Sequence, residues 1–86
     1  MSNSEESAPK RSMAYVLLNI SPGEENEVMS QLRNIPNVTE TYQVYGVYDG
    51  VAKVEAESVA KIKYVVDTAR QNIKGLKNTL TMMIVE

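Results

Sequence analysis

The residues best suited to chemistry lie in one short stretch, residues 45–50, with the sequence Tyr-Gly-Val-Tyr-Asp-Gly. Gly46 and Gly50 can adopt a positive φ without a Cβ clash, and Asp49 suits a turn because its carboxylate can accept hydrogen bonds from nearby backbone amides. The same stretch offers a carboxylate and two aromatic rings. With hydroxyl donors from elsewhere, these groups could bind a small zwitterion such as an amino acid. The stretch is therefore both a predicted hairpin loop and the first candidate site.

Composition excludes several classes of function. The 86 residues include no histidine and no cysteine, so Ser-His-Asp and Cys-His arrangements cannot form and the commonest metal ligands are missing. A net charge of −2 argues against a nucleic-acid surface, which needs clustered Lys and Arg. No apolar run approaches the length of a membrane span, and the lack of cysteine fits a cytosolic protein. We expect a cytoplasmic protein with no cofactor or metal and no direct contact with nucleic acid or membrane.

Hydrophobic spacing predicts six elements in the order βαββαβ. Strands are predicted from alternating apolar residues, with helices between them, at residues 14–20, 38–44, 51–56 and 76–85. Ser21 and Ser58 are the predicted N-caps of the two helices, and Gly75 ends the second. Residues 1–12 hold no aromatic or β-branched residue and are predicted to be a disordered tail. The remaining chain, residues 13–86, is predicted to form one domain.

The two halves of the chain repeat one another, which defines the fold class. Residues 35–41 and residues 73–79 each close a helix and open a strand at the same relative position. Two βαβ units of this length predict a ferredoxin-like α+β fold. Such a fold has a four-stranded antiparallel sheet with both helices on one face.

One face of this sheet carries no helix, and its predicted side chains are apolar. Tyr15 and Leu17 lie on it if the even-numbered residues of the first strand face the helices. Alternation along the last strand turns Leu80, Met82 and Ile84 toward the helices, and it leaves on the open face Thr79, Thr81, Met83 and Val85. A soluble monomer rarely exposes so large an apolar face, so we predict a dimer formed by packing of the open sheets.

Several segments also carry a resemblance to a known family. They are Ala-Tyr-Val-Leu-Leu at 14–18, Pro-Gly-Glu at 22–24, the run 35–44, Gly-Val-Tyr-Asp at 46–49 and the ending 75–81. In order and spacing they resemble the effector-binding (RAM) domain of Lrp/AsnC-type transcription regulators, over residues 13–86. The resemblance implies dimers formed through the sheets, often assembled into an octameric ring of four dimers. It also implies an amino-acid effector bound where dimers meet.

The resemblance assigns roles to five residues. Gly46 offers close backbone approach to the effector, Asp49 a carboxylate for its ammonium group, and Tyr48 a wall. Thr79 and Thr81 are polar contacts from the last strand. Together they form the predicted ligand-binding set, with no catalytic residue.

Two departures from the family shape the expected function. Its regulators usually begin with a helix-turn-helix, which this sequence lacks, so it resembles a stand-alone form. Such a module is expected to act by oligomerisation, including mixed oligomers with full-length regulators of the family. Val47 stands where the family often has an acidic residue, which argues against a Lys- or Arg-type effector.

Other interpretations remain open. Asp49 suits a residue that only caps its own turn. Small dimeric ferredoxin-like domains also serve as monooxygenases and isomerases, for which Asn19, Tyr42 and Tyr64 are candidate pocket residues. A third possibility is an oligomerisation module without a ligand.

Overall fold

Four antiparallel strands and two helices follow one another in the computed structural model, which describes residues 11–85. In chain order the elements are β1 (Ser12–Ile20), α1 (Glu25–Arg33), β2 (Val38–Gln43), β3 (Gly50–Ala56), α2 (Val59–Asn72) and β4 (Leu76–Met83). The strand order in the sheet is β2-β3-β1-β4. The predicted ferredoxin-like fold is confirmed. Of the predicted tail, residues 1–12, only Arg11 and Ser12 are among the described residues, and Ser12 is the first residue of β1.

The core lies between the sheet and the two helices. Alternate residues of β1 and β3 form its sheet side, namely Ala14, Val16, Leu18, Ile20, Ala52, Val54 and Ala56, all nearly inaccessible to solvent. The helices cover these residues with their apolar faces, chiefly through Val28, Met29, Leu32, Ile62, Val65, Val66 and Ala69. This division places every element around one apolar layer, and it leaves the other face of the sheet without a helix among the described residues.

The two predicted helix caps differ in outcome. Ser58 caps α2, because its Oγ accepts a hydrogen bond from the backbone N–H of Lys61 at 3.0 Å. Ser21 does not cap α1, which begins after Glu24 without a side-chain cap. A turn separates Ser21 from the helix instead: the N–H of Glu24 donates to the carbonyl of Ser21 at 3.0 Å, and the N–H of Ser21 donates to the carbonyl of Gly75 at 2.8 Å, beside the start of β4.

The predicted faces of β4 are wrong, because a bulge exchanges them. Ile20 pairs with Leu76 whereas Asn19 pairs with Asn78, so Lys77 is an extra residue without a partner on β1. One extra residue moves every later side chain to the opposite face of the sheet. The helix side of β4 therefore carries Thr79, Thr81 and Met83, and the open side carries Leu80 and Met82.

A second irregularity alters β2 in the same way. Val38 pairs with Val54, whereas Glu40 pairs with Lys53, so the register shifts around Thr39. Tyr42 then lies opposite Val51 on the open face, and 53% of Tyr42 is exposed. Simple alternation along residues 38–44 predicts that Val38 and Tyr42 share one face; that prediction is wrong, because the register shift places them on opposite faces.

Candidate functional site

Three hydrogen bonds hold the β2–β3 loop, residues 44–49, against the end of β1, and a fourth closes the loop on itself. The N–H of Asp49 donates to the carbonyl of Leu18 at 2.8 Å, and Asp49 Oδ2 accepts from the N–H of Ile20 at 2.8 Å. Asn19 Nδ2 donates to the carbonyl of Val47 at 2.9 Å, and the N–H of Val44 donates to the carbonyl of Asp49 at 3.1 Å. The loop is therefore anchored at both ends.

The register of the sheet explains why an acidic side chain is needed here. Gly50, the first residue of β3, pairs with Leu18, so β3 offers no backbone partner to the N–H of Ile20. Ile20 is itself buried, and a buried N–H without an acceptor is costly. Asp49 Oδ2 supplies the missing acceptor. The carboxylate of Asp49 thus has a structural role, but toward β1 rather than toward its own turn. Among the described residues none donates a hydrogen bond to Oδ1, which leaves that oxygen available for another contact.

The tip of the loop projects into solvent. Tyr45 is fully exposed and 85% of Val47 is exposed, whereas Tyr48 is half-buried. Gly46 lies between the two exposed side chains with φ +140°, a conformation that residues with a Cβ rarely adopt. An anchored loop that presents two apolar side chains to water is typical of a contact surface.

A polar cleft of about 300 Å³ lies between this loop and the start of α1. Its lining residues are Glu25, Asn26, Gln43, Val44, Tyr45 and Asp49. Gln43 Nε2 donates to Asn26 Oδ1 at 3.1 Å and so joins β2 to α1 across the cleft. The volume matches the lower end of known small-molecule sites. Sequence reasoning missed Glu25, Asn26 and Gln43, because only the packing of α1 against β2 brings them to Asp49.

The five predicted site residues divide into two groups in one chain. Gly46, Tyr48 and Asp49 lie together in the β2–β3 loop. Thr79 pairs with Leu18 on the side of β1 opposite β3, so about two strand spacings, roughly 10 Å, separate it from the loop. Thr79 and Thr81 instead line a second cleft, of about 330 Å³, between β4 and α2.

The open sheet face carries an ionic cluster beside its apolar residues. Lys53 Nζ lies 3.9 Å from both Glu40 Oε2 and Glu55 Oε2. The phenol of Tyr42 donates to Glu40 Oε1 at 2.8 Å, and this hydrogen bond to the carboxylate raises the pKa of Tyr42 above its usual 10.0. Each charge in this cluster has an opposite charge nearby, so the cluster needs no external ion.

Two kinds of feature are absent from the described residues. Within residues 11–85, three or more His, Cys, Asp or Glu side chains nowhere gather in an arrangement that could hold a metal ion. No helix in this part of the chain has the length and apolar character needed to cross a membrane.

Fold and site together define a small α+β domain of the ferredoxin-like class, with an anchored acidic loop next to a polar cleft. The family model described as Lrp/AsnC ligand binding domain matches residues 13–86, and the chain belongs to this family. The resemblance seen in the sequence is thereby confirmed.

Relatives of known sequence or structure agree with this assignment. The HTH-type transcriptional regulator FL11 of Pyrococcus furiosus is 28% identical over 74 residues, which cover 86% of this chain and 48% of FL11. The crystal structure of FFRP-DM1 is 31% identical, with a TM-score of 0.81, and covers 86% of this chain and 99% of its own. Hypothetical protein PHS023 of Pyrococcus horikoshii is 31% identical with a TM-score of 0.80, covering 87% and 90%. The chain spans about half the length of the curated relatives that it matches.

The family also resolves the enzymatic alternative. The domain is a regulatory ligand-binding module and its curated relatives are named transcriptional regulators, so the chain is not an enzyme. The residues considered for an enzymatic pocket, Asn19, Tyr42 and Tyr64, do not form one in the described structure. Asn19 fastens the β2–β3 loop, and more than half of Tyr42 and Tyr64 is exposed.

Proposed function

We propose that this domain binds an amino-acid effector at the β2–β3 loop and passes the signal on through its state of assembly. The observation that carries the proposal is the loop itself. Asp49 is fixed by a backbone contact through Oδ2, stands beside a polar cleft, and keeps Oδ1 for a ligand. Tyr45 and Val47 next to it are exposed, as residues at a contact between protomers would be before assembly.

The chemistry of the loop suits the zwitterion of an amino acid. Asp49 Oδ1 accepts the ammonium group in this proposal, Gly46 lets the ligand approach the backbone, and Tyr48 forms a wall. Thr79 and Thr81 bind the ligand's polar groups from a neighbouring protomer, since about 10 Å separates them from the loop within one chain. A site shared between protomers makes the ligand a stabiliser of the assembled state, by mass action.

The experiment is calorimetric titration with the twenty amino acids at millimolar concentration, on the full chain. Asp49→Asn removes the carboxylate charge but keeps an oxygen that can accept from Ile20, so it separates binding from loop stability. We expect Asp49→Asn to abolish the heat of binding. Asp67→Asn is the matched control, because it alters the chain's other aspartate, which lies on α2. Absence of heat with every amino acid would refute the sensing role.

We also propose that the first stage of assembly is a dimer that buries the open sheet faces. The support is that large apolar side chains stand there half-exposed, namely Tyr15, Tyr42, Leu80 and Met82. Leu80→Glu would place a charge on the apolar part of this contact, and we expect sedimentation velocity to show monomers at micromolar concentration. Val59→Glu, at an exposed position on α2, should sediment like the unaltered protein. A monomeric unaltered protein would contradict the dimer.

In this proposal, dimers assemble further through contacts of the β2–β3 loop. Octamers built from four dimers, and mixed oligomers with full-length Lrp/AsnC regulators, are the forms through which the domain would influence transcription. This route needs no direct contact with nucleic acid. We also propose that the domain works in the cytoplasm, because the curated relatives are named transcriptional regulators. Co-purification of a tagged copy of this chain with a full-length regulator, enhanced by the effector, would test the mixed form.

A further inference from the structure

The outer edge of β4 presents unpaired backbone groups. The N–H of Ile84 donates to the carbonyl of Met13 at 2.9 Å, which fixes the pattern of the antiparallel ladder between β1 and β4. Because the pattern repeats every second residue, the backbone groups of Leu80 and Met82 point toward β1. Those of Thr79, Thr81 and Met83 point away from it, and in residues 11–85 no further strand pairs there. β4 therefore keeps a row of free donors and acceptors.

The side chains of these edge residues line the cleft between β4 and α2. The cleft measures about 330 Å³, and its α2 wall consists of Val59, Ile62, Lys63, Val66, Asp67 and Arg70. Thus one edge combines free main-chain groups with a pocket that has an apolar floor and a charged rim. Domains that take up an extended peptide as an added strand use this combination, since main-chain bonds give affinity and the pocket gives specificity.

The charge at the rim indicates what kind of peptide fits. Lys63 Nζ and Arg70 Nη1 lie 3.4 Å and 3.6 Å from the carboxylate of Asp67, which they share. Lys77, the bulged residue of β4, lines an adjoining pocket with the same three side chains. This edge thus carries three cationic side chains and one carboxylate, that of Asp67, although the whole chain has a net charge of −2. Such a local positive field attracts an acidic segment.

We propose that the edge of β4 binds an extended, acidic segment of a partner protein as an antiparallel fifth strand. In such a strand, the residues whose amides face β4 also direct their side chains into the cleft. An apolar residue opposite Thr81 fills the pocket, and acidic residues two positions away on either side meet the cationic rim. Pairing of β4 with a second β4 is disfavoured. Two copies of this edge would bring identical cationic rims together, so that like charges meet.

The other edge of the sheet lacks these properties. β2 has six residues against eight in β4, and its register is broken around Thr39. The bulge of β4 lies near its start, at Lys77, and leaves residues 78–83 in register. A short edge with an interrupted register resists strand addition. The proposal therefore concerns the β4 edge alone. It shares Thr79 and Thr81 with the proposed effector site, but its test detects the bound peptide directly and needs no effector.

The test uses a fluorescein-labelled peptide, Thr-Glu-Thr-Val-Thr-Glu-Thr, and fluorescence anisotropy with the full chain. We expect N-methylation of the valine to abolish binding, because its amide faces β4, and N-methylation of a neighbouring threonine to leave binding intact. Lys63→Glu should weaken binding by about tenfold or more, whereas Lys74→Glu, outside the cleft, should change it little. A peptide with lysines in place of the glutamates should bind far more weakly.

A backbone substitution tests the same edge from the protein side. Thr81→Pro removes an amide that faces outward, so it should keep the fold, as judged by circular dichroism, and abolish peptide binding. Met82→Pro removes an amide bonded to β1 and should unfold the strand.

Three results would overturn the proposal. Equal binding of both N-methylated peptides would exclude strand addition. Tighter binding of a peptide made from residues 1–10 would point to this chain's own N-terminal segment as the occupant. Loss of self-association in Thr81→Pro, with no peptide binding to the unaltered protein, would point to a second copy.

Discussion

Replacement of Asp49 tests how the β2–β3 loop is held. Asp49→Ala leaves the N–H of Ile20 without its acceptor, and Ile20 is only 4% exposed. An unsatisfied buried donor costs about 1–3 kcal/mol. Since Asp49 is half-buried and water reaches the loop, we expect the lower part of that range, about 1–2 kcal/mol. Asp49→Asn keeps an acceptor but loses the charge, and bonds to charged acceptors are about twice as strong, so about half of that loss is expected.

The assay is equilibrium unfolding in urea at a fixed protein concentration, followed by circular dichroism, so that assembly does not distort the comparison. For a domain of this size, 1 kcal/mol corresponds to about 4–8 °C in Tm, so both variants are measurable. Asp67→Ala is the control, because its carboxylate forms exposed ion pairs and should contribute less than about 1 kcal/mol. If Asp49→Ala unfolds at the urea concentration of the unaltered protein, the bond to Ile20 does not hold the loop. If Asn costs as much as Ala, the charge rather than the acceptor is what matters.

Two further predictions concern backbone conformation and pH. Gly46→Ala should cost about 1–2 kcal/mol, from its φ of +140° alone, because no atom within 4 Å would meet the new Cβ. Gly75→Ala should cost clearly more in the same urea assay, since φ is +96° and the new Cβ would lie 3.0 Å from Glu24 Cβ and 3.1 Å from Val28 Cγ2; equal losses would show that these contacts are irrelevant. Tyr42→Phe removes the phenol that donates to Glu40, a bond that raises the pKa of Tyr42 above 10.0. The stability from this bond is present below pH 10.0 and is lost as pH rises through the raised pKa, so the difference between the two proteins should vanish in strong alkali. A difference that persists after absorbance shows tyrosinate at position 42 would contradict this account.

Sequence reasoning succeeded where a segment's own residues determine its structure. The alternation of apolar residues predicted the buried faces of β1 and β3, and the hydroxyl of Ser58 predicted the start of α2. The structure confirms both. It failed at β4 and β2, because a bulge depends on how a strand pairs with its neighbour, and the extra residue Lys77 has no distinctive side chain. Asp49 lies between these cases. Its residue type indicated a turn, but its partner Ile20 became evident only from the register of β1 and β3.

The bulge at Lys77 gives β4 an unusual distribution of side chains, and this distribution supports both surfaces proposed above. In an isolated domain, the helix side of an edge strand is normally apolar and the open side polar. On β4 the threonines face the helices and Leu80 and Met82 face water. That arrangement exposes apolar area without filling the core, so it lowers the stability of a monomer. It becomes favourable if a second sheet covers Leu80 and Met82 and a polar partner occupies the cleft beside Thr79 and Thr81. One inserted residue therefore converts what would be a self-contained edge strand into a strand with two contact surfaces.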